Sequence, residues 1–132
     1  MTDMRSAYER CVADLEMARM LYKRATSRQN TTAGEIQRVA VAAKRLEMKV
    51  AAVRLAQADY HLDALRARID YLESRTARDR ATRREAAELE WALGALPVNA
   101  ATVERLEAEL EQRKQELKAL SESHLVSTDA AA

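Results

Sequence analysis

Few side chains in this 132-residue chain are of a type that does chemistry, and their spacing keeps them apart. The two histidines are His61 and His124, and the one cysteine is Cys11. A catalytic or metal role needs convergent partners. In His61-Leu62-Asp63 the histidine and the aspartate leave a helix in divergent directions. His124 stands alone near the C-terminal end, so both histidines read as surface or seam residues. Cys11 lies in an apolar seam without an activating base; Arg10 is adjacent but points to another face, so Cys11 reads as a small hydrophobe. A single cysteine leaves no internal disulfide and no cysteine zinc cluster. With two glycines in the whole chain there is no glycine-rich phosphate loop. These patterns point away from an enzyme and imply no cofactor, no metal and no small-molecule substrate.

The strongest charge feature is the basic face Arg75, Arg78, Arg80, Arg83 and Arg84, with Arg66 and Arg68 upstream. Such a run could grip a phosphate backbone or act as a nuclear-import signal. Asp79, Glu85 and Glu88 interrupt it, and no aromatics interleave for base stacking. A solvated helix face, paired in part with a following acidic helix, is the plainer reading, and nucleic acid is not the expected partner. Met4, Met17, Met20 and Met48 could mark an adaptable partner surface, although methionine more often fills cores.

The elements that carry these residues read as helices throughout. The chain is 48% hydrophobic, much of it alanine, with no Phe and one Trp. That composition suits thin helix-on-helix packing and not a thick core. A charged content of 33% and a net charge of +1 fit a coiled-coil-like chain with no strong global pull toward polyanions. The first helix is expected over about 3–27, where Met4, Tyr8, Cys11, Leu15, Ala18, Tyr22 and Ala25 alternate spacings of four and three. Thr31 and Thr32 are candidate caps in the polar loop that follows.

From Glu35 to Leu93 there is neither glycine nor proline. That stretch predicts one very long central helix over 35–93, up to ~90 Å at ~1.5 Å per residue. It carries two stripes. Ile36, Val39, Ala43, Leu46, Val50, Val53, Tyr60, Ala64, Ala67 and Tyr71 keep one register; Met48, Ala51, Leu55, Ala58, Leu62, Leu65, Ile69 and Leu72 keep another. Two apolar sides need two partners. A turn is expected at Gly94-Ala95-Leu96-Pro97, with Asn99, or Thr102 as an alternative, capping a third helix over about 100–124 and a disordered tail over 127–132. The reading is an all-α, elongated antiparallel helical hairpin or three-helix coiled-coil-like protein, one domain over 1–126.

Folding back around the two expected turns would bring Leu15 near Glu47, Leu110 near Arg84 and Leu120 near Ser74. The arginine run would then lie beside Glu107, Glu109, Glu111 and Glu116. Leu62, Leu65, Ile69 and Leu72 would lack full cover, which predicts them as a protein-interaction surface for a partner or a second copy. No apolar run approaches 18 residues and no signal-peptide pattern opens the chain, so no membrane insertion is expected and a soluble protein of a reducing compartment is the natural reading.

Several strings also resemble a known family. They are Leu21-Tyr22-Lys23-Arg24-Ala25-Thr26, Val39-Ala40-Val41-Ala42-Ala43-Lys44, the arginine-rich stretch, Leu96-Pro97, and Val103-Glu104-Arg105-Leu106-Glu107-Ala108-Glu109-Leu110. In this order they resemble the small α-helical tegument proteins of herpesviruses, the family whose gene neighbours the viral protein kinase gene. The chain departs from that pattern in having no Phe before the Ala-Ala-Lys stretch, a shorter loop, and no long acidic, Trp-bearing tail. The resemblance implies a non-enzymatic virion component that supports capsid stability, nuclear delivery of virion proteins and egress, in the tegument and in host nucleus and cytoplasm. No catalytic residue carries over. A coiled-coil adaptor or chaperone of bacterial or phage origin, and a nucleic-acid-binding helical module using Arg75–Arg84, are the alternative readings.

Overall fold

The computed structural model describes the backbone of residues 2–29 and 32–131 and the side chains of residues 5–29 and 32–122. Met4, Thr31 and His124 therefore fall outside the described side chains. Three helices follow one another: α1 (Thr2–Thr26), α2 (Ala33–Ala77) and α3 (Arg83–Ala131). The chain is all-α, with a long central helix of 45 residues, about 68 Å at ~1.5 Å per residue.

That helix is nevertheless shorter than the 35–93 expected, because the chain turns at 78–82 and not at Gly94–Pro97. Local chemistry explains the turn. Asp79 takes a φ of 56°, a left-handed conformation that aspartate tolerates better than most residues. Its N–H donates to the Thr76 carbonyl at 3.0 Å, and the Arg80 N–H donates to the Arg75 carbonyl at 2.9 Å. These two bonds are the paired closure that satisfies the last carbonyls of a helix. Immediately after it, Thr82 and Glu85 form a reciprocal cap. The Glu85 N–H donates to Thr82 Oγ1 and the Thr82 N–H donates to Glu85 Oε1, both at 3.1 Å. Thr32 and Glu35 open α2 in a related way, with the Glu35 N–H donating to Thr32 Oγ1 at 3.1 Å.

Gly94 and Pro97 consequently lie inside α3. Proline removes one helical N–H and costs ~3 kcal/mol in a helix interior. Buried Ala92, Val103 and Leu106, on both sides of it, tie that part of α3 to the rest of the chain and offset the cost. Asn99 is not a cap: its Nδ2 donates to the Ala95 carbonyl at 2.9 Å within the helix. The tail expected over 127–132 continues α3 as far as Ala131.

The α2–α3 register is antiparallel. Arg75 lies beside Glu85, Arg68 beside Glu88 and Lys44 beside Glu116, and Gln37 Nε2 donates to the Leu120 carbonyl at 3.2 Å. On the other side, Lys49 meets Asp14 of α1 at 3.6 Å, close to the expected pairing of Leu15 with Glu47. Both α1 and α3 pack on α2, whereas no described Cα of α1 comes within 8 Å of one in α3. The three helices therefore form a single layer with α2 in the middle, as its two stripes require. A single layer buries little. Its core is Leu15, Ala18, Ala51, Leu62, Ile69, Leu72, Ala92, Val103 and Leu106, with no buried polar residue among those described.

Candidate interaction edges and the basic tip

Leu62, Ile69 and Leu72, three of the four residues expected to form an interaction surface, are core. They are 5%, 5% and 1% exposed, and Leu65 is half-buried. The cause is the position of the turn. Closing at 78–82 brings the first half of α3 over residues 62–72, where a turn at Gly94 would have left a gap. The apolar register was read correctly, but its cover comes from within the chain.

The exposed apolar residues lie elsewhere. On α1 they are Met17, Met20 and Leu21, and on α3 they are Trp91, Leu93 and Val98. Trp91 is the only tryptophan and is 69% exposed. A third patch continues the first stripe of α2. Tyr8 near the start of α1 reaches Gln57, Tyr60 and His61, with which it lines a hollow. Beyond that point Ala64, Ala67 and Tyr71 are exposed.

Tyr71 is flanked by two cations. The Arg68 guanidinium lies 5.1 Å and that of Arg75 5.8 Å from its ring centroid, an arrangement in which the ring face attracts both charges. Each arginine also meets an acid of α3. Arg68 binds Glu88 through two hydrogen bonds, and Arg75 Nε sits 2.7 Å from Glu85 Oε2. The Arg75–Glu85 approach is a charge pair and not an aligned bond, since Nε is buried without a hydrogen-bond acceptor. The Glu88 carboxyl is held below its ordinary pKa first by the Arg68 hydrogen bonds, against opposing desolvation. Glu85 is lowered first by the Thr82 N–H, with Arg75 adding charge stabilisation. Farther along the layer Glu116 is lowered chiefly by Lys44 and then Arg113, and Lys44 is raised by Glu116 and Glu47.

The basic face divides in two. Arg75 is drawn into the hairpin and Arg84 lies within the field of Glu88. Arg78, Arg80 and Arg83 are exposed at the tip, and their guanidinium groups meet no acid among the described residues. The run does not lie beside Glu107, Glu109, Glu111 and Glu116 of its own chain; Glu116 is at the far end, beside Lys44.

His61 stacks edge-on to Tyr60, with centroids 6.2 Å apart, and Cys11 is half-buried. Among the described residues no three His, Cys, Asp or Glu converge as metal ligands, and no helix is long and apolar enough to cross a membrane. In the sequence the α3 edge is hidden by the turn that Gly94–Pro97 predicts. Its signal is present in the four-and-three spacing of Ala87, Trp91, Gly94, Val98 and Ala101. No family model, curated protein or solved structure matches the chain.

Proposed function

We propose that this chain is a non-enzymatic, protein-binding structural or assembly factor. The observation that carries this reading is the single-layer packing. It leaves Met17, Met20 and Leu21 on α1 and Trp91, Leu93 and Val98 on α3 exposed. Large apolar side chains grouped on a surface mark contact sites for other proteins. The virion role in capsid stability, nuclear delivery and egress rests on the resemblance to herpesvirus tegument proteins. A bacterial or phage adaptor would use the same edges.

The test is crosslinking and affinity capture from the native source, followed by mass spectrometry. The intact chain is compared with a variant carrying Met17→Ser, Met20→Ser, Trp91→Ser and Val98→Ser. Specific proteins should be captured by the former and lost from the latter at unchanged helicity. Identical recovery by both chains would refute the reading. A second reading, phosphate-backbone binding, is favoured by Arg78, Arg80 and Arg83, whose guanidinium groups meet no acid among the described residues; it requires affinity for duplex nucleic acid that falls steeply with salt.

A further inference from the structure

The outer edge of α3 is a seam that matches itself. Ala87, Trp91, Gly94, Val98, Ala101 and Arg105 recur at alternating spacings of four and three, and all are exposed. Arg84 and Ala108 continue the same row. Because α1 packs on the opposite side of α2, no other described helix covers this edge. We propose that the occupant of this edge is a second copy of the chain, packed antiparallel about a twofold axis beside residue 96. The inference rests on the protein-binding reading and names the partner.

Three features carry it. The first is size. The row is symmetric about residue 96, so an antiparallel copy sets Trp91 against Ala101 and Gly94 against Val98. The same register sets Ala87 against Arg105 and Arg84 against Ala108. Each pair joins a large residue to a small one, the condition for close helix packing. A Cβ built on Gly94 would meet nothing within 4 Å, so the space for Val98 of the second copy is open.

The second feature is a receptor for the indole. Pro97, Val98, Ala101, Thr102 and Arg105 line an open, mainly apolar hollow on this edge. It surrounds the position that Trp91 of the second copy reaches in this register. A knob from one helix enters a hole made by residues of the facing helix in the same manner in coiled coils. Arg105 at the rim can lie against the ring face.

The third feature is charge. The register places Arg83 of one copy opposite Glu109 of the other, with Glu111 about a turn farther along beside Arg83 and Arg84. Arg105, set against Ala87, also comes within a turn of Glu90, which has no hydrogen bond or ion pair among the described residues. Glu104 also approaches Glu90 there, with Arg105 between the two acids. The exposed edge of α2 fails the size comparison: Tyr60, Ala64, Ala67 and Tyr71 have symmetric spacing as well, but antiparallel pairing would set Tyr60 against Tyr71 and Ala64 against Ala67, like sizes and not large against small.

The test uses the full chain and its single tryptophan. Sedimentation is followed from low micromolar to several hundred micromolar, together with Trp91 emission. A concentration-dependent dimer with a blue shift in emission is expected. Trp91→Ala should weaken the dimer by ~10-fold or more, as truncation of a buried aromatic anchor does. Arg105→Glu should also weaken it, and adding Glu90→Arg to that variant should restore it, because the pair is then exchanged in sign. Circular dichroism checks that each variant keeps its helicity. A chain that remains monomeric throughout overturns the proposal, as does a dimer indifferent to Trp91→Ala or a charge exchange without rescue. Burial of Trp91 by a different protein, with the chain itself monomeric, overturns the dimer and leaves the protein-binding reading intact.

Discussion

Arg68 and Glu88, 20 residues apart in sequence, meet through two parallel hydrogen bonds. Arg68 Nε donates to Glu88 Oε1 at 2.7 Å and Nη2 donates to Oε2 at 3.0 Å. The planar guanidinium matches the carboxylate, so the pair holds α2 and α3 in one register. Its partial exposure limits its weight in stability. The register itself, however, decides which residues are core and which are edge.

Leu72 is the most deeply buried large side chain, and Ile69 lies one turn before it. Leu72→Ala should cost about 2–5 kcal/mol, the range for a buried leucine that leaves a cavity. Leu65→Glu combined with Ile69→Glu should unfold the hairpin, and not merely detach a partner. Chemical denaturation followed by circular dichroism distinguishes the two. A folded double variant of lower oligomeric mass would return these residues to the role of an association surface.

Stability should fall on acidification. Glu85, Glu88 and Glu116 have lowered pKa values in the folded chain. Their contribution is therefore fully present above the unfolded carboxylate value near ~4.3 and is lost as pH drops through the lower folded values. The raised Lys44 acts at the opposite limit. Its contribution is present below the ordinary lysine range and disappears only in strong alkali. Melting temperatures recorded across the acid range should decline below about pH 4–5, and less so when Glu88→Gln and Glu116→Gln are combined.

Thr82→Ala should destabilise the chain by about 0.5–2 kcal/mol, since it removes the acceptor for the Glu85 N–H at the start of α3. Asp79→Gly should be tolerated or stabilising, because glycine adopts the left-handed conformation without a Cβ penalty. Urea denaturation measures both. If Thr82→Ala is neutral, the cap does not set the hairpin turn.

Arg78→Gln, Arg80→Gln and Arg83→Gln together should leave the melting temperature unchanged, since these side chains meet no acid among the described residues. Neither the parent nor the triple variant should bind duplex nucleic acid detectably. Titration with labelled duplex at low and moderate salt reads this. Tight, salt-sensitive binding that vanishes in the variant would establish the phosphate-binding reading instead.

The sequence by itself determined the helical class, the two-sided central helix and the α1 pairing. Those follow from periodicity and composition, which act locally and persist in any packing. Leu62, Ile69 and Leu72 were thus legible as one apolar register, although not as core. The turn was legible too, in Thr82-Arg83-Arg84-Glu85, but two stronger breakers drew attention to residues 94–97. Breaker strength is only a propensity, and ~3 kcal/mol against Pro97 is offset when the flanking turns are buried against α2. Only the tertiary structure decided between the two turns. It did so because moving a hairpin turn changes the partner of every residue on α3. Closing at 78–82 covers Leu62 to Leu72 and leaves Trp91, Gly94 and Val98 on the outside, whereas the same sequence closed at 94–97 would have reversed those roles.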